Sequence, residues 1–328
     1  MLYITTRSDE QTYTAKHVLE YSVAPDGGRF VPQHLPVYDS SEITAFVNMT
    51  YSQTVAHILN TFFDCHLSSW DVELVLGKSA PKLVTMNHRI AIAELWRNQE
   101  RRIGYIADGI LPMVLGDDKQ IVKSSDWFRI AVGIAVLFGV YGEMLRANVI
   151  EPVQHFDISV PAGDFSAPMA GFYARNMGLP IELVVCTCDE ESSVWDIIQR
   201  GSFITGAAQM QLILGVERLA CATLSAATFK EYRDRCNSGR LFTVPEEEYD
   251  AFSSGFFCAV AGKSRASSII NRVYRNNTYL IDPYTALCYG GLQDYRAKHG
   301  GGRIALLPAQ FDPVSYADDI KEATGVSI

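Results

Sequence analysis

The sequence predicts an α/β protein built on an open, mostly parallel sheet. Residues 157–186 carry that expectation: Ile158 and Val160 end an apolar strand, Pro161 to Ser166 form a turn of small residues, and Met169, Phe172, Tyr173 and Met177 recur at helical spacing. Pro168 suits a first helical turn, Gly178 and Pro180 stop the helix, and residues 181–186 (IELVVC) read as the next strand. Strand, crossover helix and strand make a βαβ unit, which requires parallel pairing. The second observation is bulk. A chain of 328 residues with 48% hydrophobic residues can bury a sizeable core. The third is the run 130–142, which is too short to span a bilayer, follows Arg129 and reads as a core helix.

In chain order, residues 1–6 form a short strand, and Ser8, Asp9, Glu10 and Gln11 offer caps for a helix reaching Tyr21. That helix is expected to bury Ala15, Val18, Leu19 and Ser22. Ala24-Pro25-Asp26-Gly27-Gly28 is a tight turn, followed by a short extended piece closed by Pro32. Residues 80–86 and 90–96 read as a hairpin around Asn87-His88-Arg89. Residues 106–115 form a brief apolar segment broken by Pro112, and residues 130–145 a buried helix leading to a strand at 156–160. Asp189 to Ser193 reads as a cap with charges suited to a helix N-terminus, and Pro245-Glu246-Glu247-Glu248 as a solvated helix start. Residues 264–274 form a helix, and Gly300-Gly301-Gly302 is a turn before a strand at 303–307.

A net charge of −9 without a basic run argues against nucleic acid and anionic membranes as partners. The seven cysteines have no zinc spacing and form no cluster with the histidines, so no metal is expected. Cys186 and Cys188 are expected to face opposite ways, and the thiols to be reduced in a cytoplasmic protein. Asp157, Asp164 and Asp282 could meet as paired carboxylates, and Cys186 could act as a nucleophile if its pKa were lowered.

Several stretches resemble the threonine synthase family. Ala24-Pro25-Asp26-Gly27-Gly28-Arg29-Phe30-Val31-Pro32 is similar to its A-x-D-G-G-L-Y-V-P signature, Val160-Pro161-Ala162-Gly163-Asp164-Phe165 to its V-P-S-G-N-F loop, and Asp282-Pro283-Tyr284-Thr285-Ala286 to its D-P-H-T-A. The resemblance implies a three-layer open sheet with helices on both faces, the large-domain half of that fold. It implies an N-terminal α+β segment at residues 1–79 and a large domain at 80–328, with the small mobile domain deleted between about residues 106 and 123. In the family the loop holds the phosphate of pyridoxal phosphate. Here Asp164 and Ser166 replace Asn and Gly. Glu94-Leu95-Trp96 is similar to the E-L-F that leads to the family's Schiff-base lysine, and in the ungapped match Gly104 stands at that lysine position. Arg101 and Arg102 cannot deprotonate to replace it. Lys119 and Lys123 are the nearest lysines downstream. Ser124, Ser125 and Asp126 lie in a stretch resembling the family's N-S-I-N-W-A-R.

The expectation is therefore a threonine-synthase-like pseudoenzyme that acts in binding or assembly. No catalytic residue is assigned, and no cofactor is expected unless the lysine is misplaced. The ligand-binding candidates are Ala162, Gly163, Asp164, Phe165, Ser166, Ser124, Ser125 and Asp126. Loss of a domain uncovers surface, so Arg101, Arg102, Tyr105 and Trp127 are the interface candidates for a homo-oligomer or protein partner, beside a small-molecule ligand in the residual cleft. The alternatives are an active threonine-synthase-like lyase, new chemistry at the same cleft, or a sensor of amino acids or phospho-amino acids.

Overall fold

Apolar strands buried on both faces need a layer of helices above and below. The computed structural model, which describes residues 1–86, 89–97, 103–116, 124–203 and 210–328, has that arrangement. The N-terminal part contains β1 (Leu2–Thr5), β2 (Tyr13–Thr14), α1 (Ala15–Glu20), β3 (Phe30–Pro32), α2 (Ser40–Ala45), α3 (Tyr51–Phe63) and α4 (Ser69–Leu76). The hairpin β4 (Lys82–Met86) and β5 (Ile90–Glu94) follows, then α5 (Ile103–Leu115), α6 (Asp126–Arg146), β6 (Phe156–Pro161), α7 (Ser166–Asn176) and β7 (Ile181–Cys188). Next come α8 (Val194–Arg200), β8 (Ser202–Phe203), α9 (Met210–Thr223), α10 (Ala226–Asn237), β9 (Phe242–Thr243), α11 (Glu246–Ser253) and β10 (Phe256–Val260). The chain closes with α12 (Lys263–Asn277), α13 (Pro283–His299), β11 (Ile304–Ala309) and α14 (Ala317–Thr324).

The central sheet has six strands in the order β10-β7-β6-β11-β5-β4, parallel throughout except for the edge hairpin strand β4. The βαβ unit read from residues 157–186 is its middle, with Ile158 opposite Val184 and Val160 opposite Cys186. Alternate strand positions feed two cores. Val184, Cys186 and Leu306 pack with residues of α3, α6 and α7, and Val185, Ile92 and Leu307 pack with residues of α12, α13 and α14. Among the described residues α6 is the helix long and apolar enough to cross a membrane, yet it is buried in the fold. It is a core helix, as its sequence suggested.

Three local expectations change. The helix anticipated up to Tyr21 shrinks to α1, because Thr5 and Ser8 close a turn on each other (Thr5 N to Ser8 O 3.2 Å, Ser8 N to Thr5 Oγ1 3.0 Å). Tyr13 and Thr14 then pair with β1 instead of coiling. Pro112 does not break its segment. It sits inside α5, whose Ile106, Ala107, Ile110 and Leu111 are buried at helical spacing, and packing there outweighs the lost hydrogen bond. Cys186 and Cys188 face the same way, since residues two apart on a strand share a face. The Cys188 and Cys258 sulfurs lie 3.7 Å apart, and all seven cysteines are free.

Candidate active-site cleft

Open parallel sheets bind ligands outside the carboxyl ends of their strands. That edge carries a cavity of about 310 Å³ here, within the usual size of a small-molecule site. Leu95 after β5, Val160 and Pro161 of β6, and Pro308 with Gln310 and Phe311 at the end of β11 form its floor and one side. Ile103 and Gly104 of α5, Arg129 and Val136 of α6, the start of α7 and Tyr284 of α13 also line it.

The turn into α7 is shaped by two left-handed residues, Gly163 (φ 48°) and Phe165 (φ 70°). Phe165 is not a glycine, so burial must hold it there. It is fully buried, packs against Phe256 with ring centroids 5.8 Å apart, and donates its amide to the Ala162 carbonyl (2.7 Å). Gly215 of α9 abuts the turn so closely that a Cβ there would stand 2.1 Å from the Asp164 carbonyl oxygen. The Asp164 carboxylate accepts from the Ser166 amide (3.0 Å), so a side chain of the chain itself occupies the positive end of α7. Across the cleft, Gln310 Oε1 accepts from the Ile103 amide (3.0 Å) and fixes the start of α5 against the β11 turn.

The sequence candidates divide on placement. Ala162, Gly163, Asp164 and Ser166 line the cleft, whereas Phe165 packs behind it. Ser124, Ser125 and Asp126 do not line it. Ser125 caps α6 through the Phe128 amide (3.2 Å), and Asp126 is held by Arg29 (2.8 Å) and Arg218 (3.1 Å). Ser124 donates its hydroxyl to Asp108 (2.5 Å) and accepts from Arg129 Nε (2.8 Å). It therefore positions a residue the candidate set lacked: Arg129, the cation among the described lining residues. Its spacing, one helical turn beyond Ser125 at the start of an apolar helix, is the signal that could have found it. Trp127 is fully buried beneath Tyr3, Phe62 and Tyr173, so it offers no surface to a partner. Tyr105 is 51% exposed, and Arg101, Arg102, Lys119 and Lys123 lie outside the described residues.

The other sequence constellations do not assemble. Asp157 sits at the opposite end of β6 from Asp164 and pairs with Arg303 (2.8 Å). Cys186 is fully buried, its thiol directed at the Phe257 carbonyl. Asp282 caps α13, accepting from the Tyr284 and Thr285 amides (2.9 and 3.0 Å). Burial pushes its pKa up to about 6, against the pull of those donors and the Thr285 hydroxyl. Its proton is thus bound more tightly in the folded state than in the unfolded one. Stability gained from Asp282 is complete below its unfolded pKa near 4 and is lost as pH rises through 6. Asp282→Asn keeps a capping oxygen and removes the titration. The variant should gain up to about 3 kcal/mol relative to the parent between pH 4 and pH 7. Denaturant melts across that range check it, and a constant difference would show that Asp282 does not titrate there.

An open α/β sheet with an apolar cleft at its carboxyl edge, flanked by two helix starts, is an arrangement suited to a small-molecule ligand. Residues 2–79 match the family model for the threonine synthase N terminus. Threonine synthase of Eremothecium gossypii is 27% identical over 227 residues, 62% of this chain and 44% of that protein. The matched stretch thus spans under half of that relative. Threonine synthase of Pseudomonas aeruginosa is 18% identical over 98% of this chain and 90% of its own length. The crystal structure of pyridoxal-phosphate-bound threonine synthase from Brucella melitensis superposes with a TM-score of 0.81 at 18% identity, covering 100% of this chain and 92% of the other. The chain is thus similar to threonine synthases in its N-terminal segment and in its fold.

These relatives overturn the expectation of a chain without a cofactor. One neighbour is a pyridoxal-phosphate-bound enzyme, and the cleft retained here is not closed against such a group. Among the described residues, no non-neighbouring atom lies within 4 Å of a Cβ built on Gly104 or on Gly163, so both walls leave room. Arg129 and the start of α7 suit a phosphate, and the apolar side chains suit a ring. No lysine stands among the described lining residues.

Proposed function

We propose that this protein binds pyridoxal phosphate, or a phosphorylated ligand of that size, in the retained cleft without a covalent lysine link, and that it works as a binding protein rather than as a threonine-synthase-like lyase. Gly104 carries the reading: the start of α5 lines the cleft at a residue with no amine to offer. Arg129, oriented by Ser124 and Asp108, and the first-turn amides of α7 would hold the phosphate. Leu95, Ile103, Val136 and Val160 would cover the ring and exclude water. Pyridoxal phosphate, when bound, supplies an electron sink for carbanions at an amino-acid carbon. What this chain's residues contribute is retention and orientation of the ligand.

Titration with pyridoxal phosphate, followed by dialysis and by borohydride reduction with mass measurement, tests the reading. The expected outcome is saturable binding that dialysis reverses, with no mass adduct. A stoichiometric adduct would identify a lysine acting in the cleft and restore the lyase alternative, with Lys119 and Lys123 the first to replace. Asp164 competes with the phosphate for α7, and its side chain is solvent-exposed. Asp164→Asn should therefore tighten binding of phosphorylated ligands by roughly threefold to tenfold, the effect of removing one like charge at a helix start. Weaker binding by the variant would place the phosphate elsewhere. A homo-oligomer or protein partner, expected from the sequence, belongs to the same proposal. Light scattering at micromolar concentration checks it, and a monomer with nothing co-purifying would remove it.

A further inference from the structure

We infer that Tyr284 is the stacking wall of the cleft, so that the site selects a planar aromatic ring joined to a phosphate over a phosphate alone; this rests on the reading above. Asp282 is the N-cap of α13 and Pro283 its first residue, which places Tyr284 in the first helical turn at the cleft edge. Its ring stacks on Phe311 with centroids 4.6 Å apart and planes 26° from parallel. Tyr316 meets Tyr284 and Phe311 edge-on, with centroids 6.0 Å away in each case. Phe311 belongs to the same turn as Gln310, which is fastened to α5. Two rings and a helix cap therefore hold Tyr284 in one place.

Even so, Tyr284 remains 44% exposed, and it lines the cleft. Single exposed apolar side chains are common on protein surfaces. This one differs because its neighbours immobilise it and its uncovered part borders a cavity. Phe311 takes one face of the phenol, and an aromatic ligand gains from an offset stack on the rest. The ordering cost of such a platform has been met before a ligand arrives. With Arg129 as the cation of the same cavity, the ligand class is a heteroaromatic phosphate.

The test compares pyridoxal phosphate with glycerol phosphate, which carries the charge and no ring, on the parent, Tyr284→Phe, Tyr284→Leu and Tyr284→Met. Tyr284→Phe should bind pyridoxal phosphate within twofold of the parent. The two aliphatic variants should lose roughly fivefold to tenfold, as expected for one aromatic stack. Their affinity for glycerol phosphate, read by competition, should stay within twofold. Two aliphatic variants are used so that a melting temperature below the parent's in one does not decide the matter. Pyridoxal phosphate binding that survives both replacements would overturn the role of Tyr284 and leave the binding function standing. An equal loss for both ligands would assign Tyr284 a general role in holding the cleft and overturn ring selection. A parent protein that binds neither ligand at millimolar concentration would overturn both this inference and the function it rests on.

Discussion

Gly104→Lys should convert reversible binding of pyridoxal phosphate into a covalent attachment, giving a near-stoichiometric mass adduct after borohydride reduction where the parent gives none. Gly104 is the second residue of α5 and lines the cleft. Among the described residues, no non-neighbouring atom lies within 4 Å of a Cβ built there, so a lysine can enter without displacing any of them at its root. The amine would condense with the ligand aldehyde and release water, and borohydride would then reduce the C=N bond. A lysine emerging beside Leu95, Ile103, Val136 and Val160 is poorly solvated, which lowers its pKa and raises the share of free amine. Replacing glycine in a helix with lysine also improves helix propensity by up to about 0.7 kcal/mol, so the variant should not melt lower than the parent. Gly104→Arg is the control: it adds charge and bulk but cannot form the link. A folded lysine variant without adduct would show that residue 104 is not aimed at the bound aldehyde.

Much of this site could be read before the fold was known. The turn at residues 161–166 and the strands around it obey local rules: small residues where the chain must turn, apolar residues where it must be covered, proline where an amide is not needed. Asp282 and Pro283 start α13 by the same rules, a signal that grouping Asp282 with two other carboxylates passes over. What stayed hidden depends on residues distant in sequence. Trp127 looks like an interface residue beside a missing segment, but Tyr3, Phe62 and Tyr173 bury it. Asp126 looks like a ligand contact, yet its partners come from residues 29 and 218. Pro112 looks like a break, and packing of α5 against its neighbours overrides it. The pairing of Cys188 with Cys258 depends on which strand lies next to β7, which no local pattern reports.

Asp126→Ala should destabilise the fold by about 3–5 kcal/mol, the usual consequence of removing one partner from a buried ion pair. For a chain of this length that corresponds to a fall in melting temperature of roughly 4–7 °C. Arg218 is 1% exposed, grips both Asp126 oxygens (3.1 and 3.2 Å), donates Nε to the Phe30 carbonyl (3.0 Å) and lies over the Trp127 ring. Arg29 reaches the same carboxylate at 2.8 Å, and its pKa is lowered by burial while Asp126 pulls it back up. Alongside, Glu217 accepts from the Thr6 hydroxyl (2.5 Å) and from Arg7. These groups join the end of β1 and the turn before β3 to the start of α6 and the middle of α9, so these elements are tied together through charge as well as through core packing. Without Asp126, two buried guanidinium groups face each other with their shared counter-charge gone. Arg218→Met alone should also destabilise, but the Asp126→Ala/Arg218→Met pair should cost less than the sum by at least about 1 kcal/mol, because the second change removes a charge the first left unpaired. Ligand affinity of the folded fraction should not change, since Asp126 does not line the cleft. A loss of affinity without a loss of stability would return Asp126 to the ligand site, and a cost below about 1 kcal/mol would mean that the carboxylate is no more than a solvated surface partner.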